Sequence, residues 1–173
     1  MYIDTNVLVY HLKTTYKPNL TFKASAFLRR VETGQYEGVL ATFVLLELVK
    51  AIRKVTVEFE HKLDPSIWKT DAEAAVKWAY KIPNVKFIDG TQEVGRVLIG
   101  QPLLEDALAT FQRFPGSFKY DGSLRPVHDG LYPFDAIHLE LARKAACSYI
   151  ATFDHEFEES RGYVPVLNLN LGV

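Results

Sequence analysis

Apolar and polar positions alternate along the chain in two distinct periods. Short apolar-rich runs, "YID" at 2–4, "EGVLA" at 37–41, "VKFI" at 85–88, "SYIATF" at 148–153 and "VPVLNL" at 164–169, have the length and β-branched content of strands. Between them the apolar residues recur every three or four positions, the spacing of one helix face. Strands alternating with helices mark βαβ units, so the pattern predicts an α/β fold with a central parallel sheet of about five strands. The last run belongs at a sheet edge, because Pro165 cannot donate a ladder hydrogen bond.

The helical pattern predicts Asn6–Leu12 and Phe22–Glu32, the latter stopped by Gly34. Thr42 is the expected N-cap of a long helix, Phe43–Phe59, with Val44, Leu48, Ala51, Ile52, Val55 and Phe59 in one stripe. Further helices are expected over Asp71–Tyr80, over Thr91–Ile99 and Leu103–Phe114 with a break at Gly100-Gln101-Pro102, and from Pro133 to Ala146. Residues 115–132 are the weakest part of the pattern. They read as a long ordered loop or hairpin insertion, of a length that points to a function.

Composition narrows the class. At 173 residues, 48% apolar and 24% charged, the chain suits one domain, 1–173, with one core. No apolar run approaches a membrane span and the first residues lack a signal-peptide pattern, which predicts a cytoplasmic protein with no membrane association. The single cysteine, Cys147, leaves no internal disulfide and no cysteine-built zinc site. Any metal would be held by oxygen or imidazole. A net charge of -1 gives no global attraction to nucleic acid. Local cations at Arg29-Arg30, Lys50, Arg53-Lys54 and Arg143-Lys144 are candidates for a basic patch or for a merely solvated face.

The candidate chemistry lies in the carboxylates. Asp4 stands between two apolar runs, where a buried charge costs several kcal/mol unless it caps a helix or meets a cation. In an open parallel sheet the ligand crevice lies beyond the carboxyl ends of the strands, where strand order reverses. With the order 3-2-1-4-5, strands one and four are neighbours, and Asp4 and Asp154 at their ends face each other. Two helices starting beside the same crevice add Glu47 and Asp135. At 100° per residue, Leu139, Ala142 and Ala146 lie within about 40° of Asp135, with Glu140, Arg143 and Lys144 opposite. Asp135 therefore projects from the core-facing stripe. Each acid has an ordinary alternative: a helix cap for Asp4 or Asp135, a solvated residue for Glu47, an Asx turn for Asp154. Together they would repel unless a hard divalent ion, Mg²⁺ or Mn²⁺, neutralised them.

Three stretches, "YIDTNVLVY", "FDAIHLELA" and "ATFDHEF", in this order and spanning nearly the whole chain, resemble the PIN-domain ribonucleases, especially the VapC-type toxins. The resemblance implies a three-layer α/β/α sandwich and cleavage of single-stranded RNA by a metal-activated water. It implies Asp4, Glu47, Asp135 and Asp154 as the catalytic and metal-binding acids, braced by Asn6 and Thr152, with Mg²⁺ or Mn²⁺ as cofactor. An antitoxin protein and a homodimer are the partners it implies. Glu47 is assigned by its place after the second strand, and residues 115–132 are longer than in compact toxins, where they would alter the substrate or partner surface. A PIN-fold RNA-binding or scaffold module without turnover, and a housekeeping RNA-processing nuclease, are the alternatives.

Other signals point elsewhere only weakly. His138 reads as a structural residue on a helix flank, and Glu105 and Asp106 as solvated acids. His128-Asp129 and Asp154-His155 superficially suggest an all-helical His/Asp phosphohydrolase, which the strands contradict. No GxSxG, Walker A or dinucleotide fingerprint is present.

Overall fold

The structure is a computed structural model that describes residues 1–88, 101–113, 118–120, 126–128, 131–160 and 162–171. In chain order its first half comprises β1 (Tyr2–Ile3), α1 (Thr5–Leu12), α2 (Pro18–Glu32), β2 (Gly38–Ala41), α3 (Thr42–Lys54), α4 (Pro65–Ala79) and β3 (Val85–Ile88). The second half comprises α5 (Gln101–Arg113), β4 (Phe118–Tyr120), β5 (Pro126–His128), α6 (Pro133–Lys144), β6 (Ile150–Thr152) and β7 (Val166–Asn168).

The five parallel strands lie in the order β3-β2-β1-β6-β7, which is 3-2-1-4-5 counted along the chain. β1 is central, with Tyr2 opposite Val39 of β2 and Ile150 of β6. Parallel strands covered on both faces carry apolar residues on both, and Tyr2, Ile3, Leu40, Ala41, Ile150 and Ala151 are all buried. Right-handed crossovers fix the layers. The connections β1→β2 and β2→β3 run one way and β3→β6 runs back past β1, so α1–α4 cover one face and α5–α6 the other. The three-layer α/β/α sandwich follows. Phe27, Leu28 and Val31 of α2, Val44, Leu48 and Ile52 of α3, and Leu139 and Ala142 of α6 complete the core.

Several element ends differ from expectation. Ala41, not Thr42, occupies the N-cap of α3, with no side-chain capping bond, because β2 runs directly into the helix. That helix gives way at Val55–Phe59 to a π-helical turn, and Phe59 is exposed against the Tyr16 ring. α4 begins at Pro65, six residues before the expected Asp71, because Asp64 caps it by accepting from Ser66 N at 2.9 Å. The expected helix Thr91–Ile99 lies outside the described residues. Within 115–132, β4 and β5 pair antiparallel, with Phe118 opposite His128. Glu140, opposite the core-facing stripe of α6, is fully buried as well, since α5 packs on that side. Thr110, Tyr163 and Arg143 all donate to its carboxylate. Asp106 pairs with Lys144 at 2.6 Å. Among the described residues no helix is long and apolar enough to cross a membrane.

Gly38 sits where β1, β2 and β3 pack closely. A Cβ there would fall 2.8 Å from Val85 Cγ2 and 2.9 Å from Ile3 Cδ1, inside van der Waals contact. Gly38→Ala should therefore destabilise the fold by about 1–3 kcal/mol, read as a lower urea midpoint, whereas an unchanged midpoint would mean that β2 and β3 separate freely.

Candidate functional site

The turn from β1 into α1 creates the cleft. Asp4 follows the last residue of β1 with extended dihedrals and serves as N-cap of α1, its carboxylate accepting from Thr5 N at 2.6 Å. Asp4 N donates to Ala151 O, which ties this turn to β6. The other carboxylate oxygen accepts from Thr152 Oγ1 at 2.6 Å and from Asn6 Nδ2 at 2.8 Å. Asn6 Oδ1 in turn accepts from Phe153 N, and Thr152 Oγ1 from Asp154 N. Asp4 is thus both a helix cap and a buried carboxylate, 4% exposed, at the crossover point of the sheet.

An open cleft of about 310 Å³ is lined by Asp4, Glu47, Asp135 and Asp154 together with Asn6, Lys50, Lys54 and His138. Glu47 projects from the second turn of α3, where its Oε2 accepts from Thr5 Oγ1 at 2.7 Å and from His138 Nε2 at 2.6 Å. Asp135, in the first turn of α6, accepts from Tyr132 N at 2.8 Å. Asp154 lies two residues past β6. A larger hollow, about 650 Å³, lies at the opposite ends of the strands and holds none of these acids.

His138 is the residue the sequence reading placed outside the cluster. Its only cue was a position three residues after Asp135, one turn along the same face. It is buried, and Nδ1 lies 2.8 Å from the Tyr2 hydroxyl while Nε2 meets Glu47. A carboxylate can only accept, so Nε2 carries a hydrogen whether the ring is neutral or cationic. Asp4, Glu47 and His138 offer ligand atoms within 4.8 Å of one another. With its Nε2 hydrogen on Glu47, however, His138 cannot ligate a metal there, and it orients Glu47 instead. Asp4, Glu47, Asp135 and Asp154 remain as oxygen donors, the set that suits Mg²⁺ or Mn²⁺.

Electrostatics set these groups apart. Burial, reinforced by Asp154 and Glu47 and opposed by His138 and Thr152, raises Asp4 to about 6. Burial also raises Asp135 to about 7, with Asp4 adding to it. Asp154 is raised by burial as well, against the Asn6 hydrogen bond. For Glu47, burial is outweighed by the hydrogen bonds and charge of His138 and by Thr5, and its pKa falls. Against its own burial, His138 is raised by Glu47, Asp4 and Asp135. One acid is settled by a partner within the fold, and the other three hold protons more tightly than free carboxylates. Of the basic candidates, Lys50 and Lys54 line the cleft, whereas Arg143 and Lys144 are engaged with Glu140 and Asp106.

In comparison with known families, residues 1–162 match the PIN domain. Among solved structures, the VapBC2 assembly of Rickettsia felis bound to a DNA fragment from their promoter contains a chain of similar fold, with a TM-score of 0.58 and 11% identity over 96% of each chain. No curated protein matches in sequence.

The raised values have a stability consequence. A carboxyl raised from 3.8 to about 6 or about 7 binds its proton more tightly folded than unfolded, so the cost of ionising it is absent below the lower value and complete above the higher. In chelator, the wild type should lose stability as pH rises from about 4 to about 8, and Asp135→Asn, which keeps an acceptor for Tyr132 N, should be the more stable protein at the upper end by on the order of 1 kcal/mol. Urea unfolding at both pH values checks this. A mutant less stable than wild type at both would make Asp135 a cap and nothing more.

Proposed function

The chain belongs to the PIN-domain family, and on that premise we propose that it is a metal-dependent endoribonuclease cleaving single-stranded RNA, the toxin of a toxin–antitoxin pair acting in the cytoplasm. The observation that carries the proposal is the convergence of Asp4, Glu47, Asp135 and Asp154 on one cleft, three of them held above their usual pKa by burial although His138 lowers all three. The donor set fits Mg²⁺ or Mn²⁺, which would be held by these four acids. When bound, such an ion lowers the pKa of water and stabilises charge developing on a phosphodiester.

The remaining roles belong to the chain itself. Thr5, Asn6 and Thr152 donate hydrogen bonds that fix the carboxylates, so that their oxygens face the cleft in one geometry. Tyr2 and His138 act behind Glu47, holding it through a buried chain of two hydrogen bonds. Lys50 and Lys54 on the exposed side of α3 meet the phosphates flanking the cut. Lys17, which donates to the Tyr10 hydroxyl and whose charge favours the ionised form of Asp154, adds a cation beside α1. Attack by water leaves the ribose 2′-hydroxyl uninvolved, and the products carry a 5′-phosphate.

The fold shared with the VapBC2 assembly supports an antitoxin partner. An acidic or aromatic segment of that partner would cover the cleft, opposing Lys50, Arg53 and Lys54 and hiding the acids. The active form would be a homodimer.

Cleavage of an unstructured RNA should need added Mg²⁺ or Mn²⁺ and yield 5′-phosphate ends on end-mapping. A 2′,3′-cyclic phosphate, or cleavage undiminished by chelator, would contradict the mechanism. Asp4→Asn should abolish cleavage, and Asn6→Ala should slow it about 10–100-fold while leaving the chain folded. For the toxin assignment, expression of the chain should halt growth, and co-expression of the neighbouring small reading frame should restore it. Harmless expression, with Asp4→Asn indistinguishable from wild type, would sink that assignment while leaving the nuclease to be judged by the RNA assay.

A further inference from the structure

Next to the acids lies an exposed ring that they and their braces do not use. Phe134 immediately precedes Asp135 in the first turn of α6 and keeps 51% of its surface exposed. A lone exposed phenylalanine is ordinary, but this one is held from behind. Phe43 packs on it with ring centroids 5.7 Å apart, and Phe43 rests in turn on His138 at 5.1 Å. The Lys50 ammonium lies 5.6 Å from the Phe134 ring centroid. An apolar face, a cation and a cluster of metal-seeking acids therefore adjoin within one turn of helix on each side. That is the combination a single nucleic-acid strand requires: a surface for a base, a charge for the next phosphate and a reactive centre beside both.

Resting on the nuclease reading above, we infer that Phe134 is a stacking platform for one unpaired nucleobase beside the scissile phosphate, with Lys50 swinging from the ring to the adjoining phosphate. Stacking needs an open base face, so a paired duplex cannot use the platform. It is tolerant of sequence, yet the larger face of a purine gains more than a pyrimidine. Phe134 is by this account a substrate-positioning residue, and Phe43 is the support that keeps its ring from folding back onto the acids. The chemistry that would instead make Phe134 a contact for a protein partner predicts no dependence on any one base.

The test is an abasic scan. Single-stranded RNA oligonucleotides, each lacking one base in turn, are titrated in Ca²⁺ against wild type, Phe134→Ala and Phe134→Trp, with fluorescence anisotropy as readout and thermal melting to verify the fold. Wild type should show one position where loss of the base weakens binding about 5–50-fold. That position should vanish from the profile of Phe134→Ala and persist in Phe134→Trp. A flat wild-type profile, a profile unchanged by Phe134→Ala, or no binding of any oligonucleotide would overturn the platform. Because binding is read without cleavage, a chain that binds with the expected profile but never cuts RNA in Mg²⁺ loses the nuclease reading alone. One that cuts RNA with a flat profile loses the platform alone.

Discussion

Burying a carboxylate at the end of the central strand is the constraint on which the rest of the cleft depends. Asp4 has almost no contact with solvent, and three hydrogen bonds to it come from Thr5, Asn6 and Thr152. Each is a charge-assisted bond that lowers the cost of the buried charge, but together they leave Asp4 still raised to about 6. Capping α1 therefore does not by itself account for an aspartate there, because a cap can be built on the surface at far lower cost. The two roles are compatible: the cap fixes where the carboxylate points, and the surrounding acids decide what it is for.

Topology then does most of the assembly. Reversal of strand order at β1 brings the ends of β1 and β6 side by side, so Asp4 and Asp154 share a cleft although they stand 150 positions apart. The helices that begin at that end deliver Glu47 and Asp135 from opposite layers of the sandwich. Their environments differ in kind. Glu47 is satisfied by His138 and Thr5, whereas Asp135 accepts from Tyr132 N and has a raised pKa. The cleft thus holds one acid already ionised by its neighbours and others that become easier to ionise once positive charge arrives.

Much of this was legible in the sequence because it is written in local patterns. The strand runs are short and continuous, as fully covered parallel strands must be, and their succession with helices was enough to anticipate the five-stranded order. The acids were placed by their position after strands and at helix starts. What escaped was set by contacts between layers. The helical wheel puts Glu140 opposite the core-facing stripe, but the wheel does not register a second helix packed on that face. His138 looked like a flank residue because its partners, Tyr2 and Glu47, lie 136 and 91 positions away. The early start of α4 did carry a local signal, "DPS" at 64–66, an N-cap followed by proline at the first helical position, ahead of any apolar periodicity.

The central claim is that the cleft's acids are held together in anticipation of a divalent cation. It is tested most directly by calorimetric titration of Mn²⁺ into the metal-free protein near pH 6.5, in two buffers of different ionisation enthalpy. Because Asp4 and Asp135 hold protons near that pH, metal uptake should release protons to the buffer, and Asp135→Asn should both bind more weakly and release fewer. Uptake of Mn²⁺ with no proton release, equal uptake by wild type and Asp135→Asn, or no uptake at millimolar metal would contradict it.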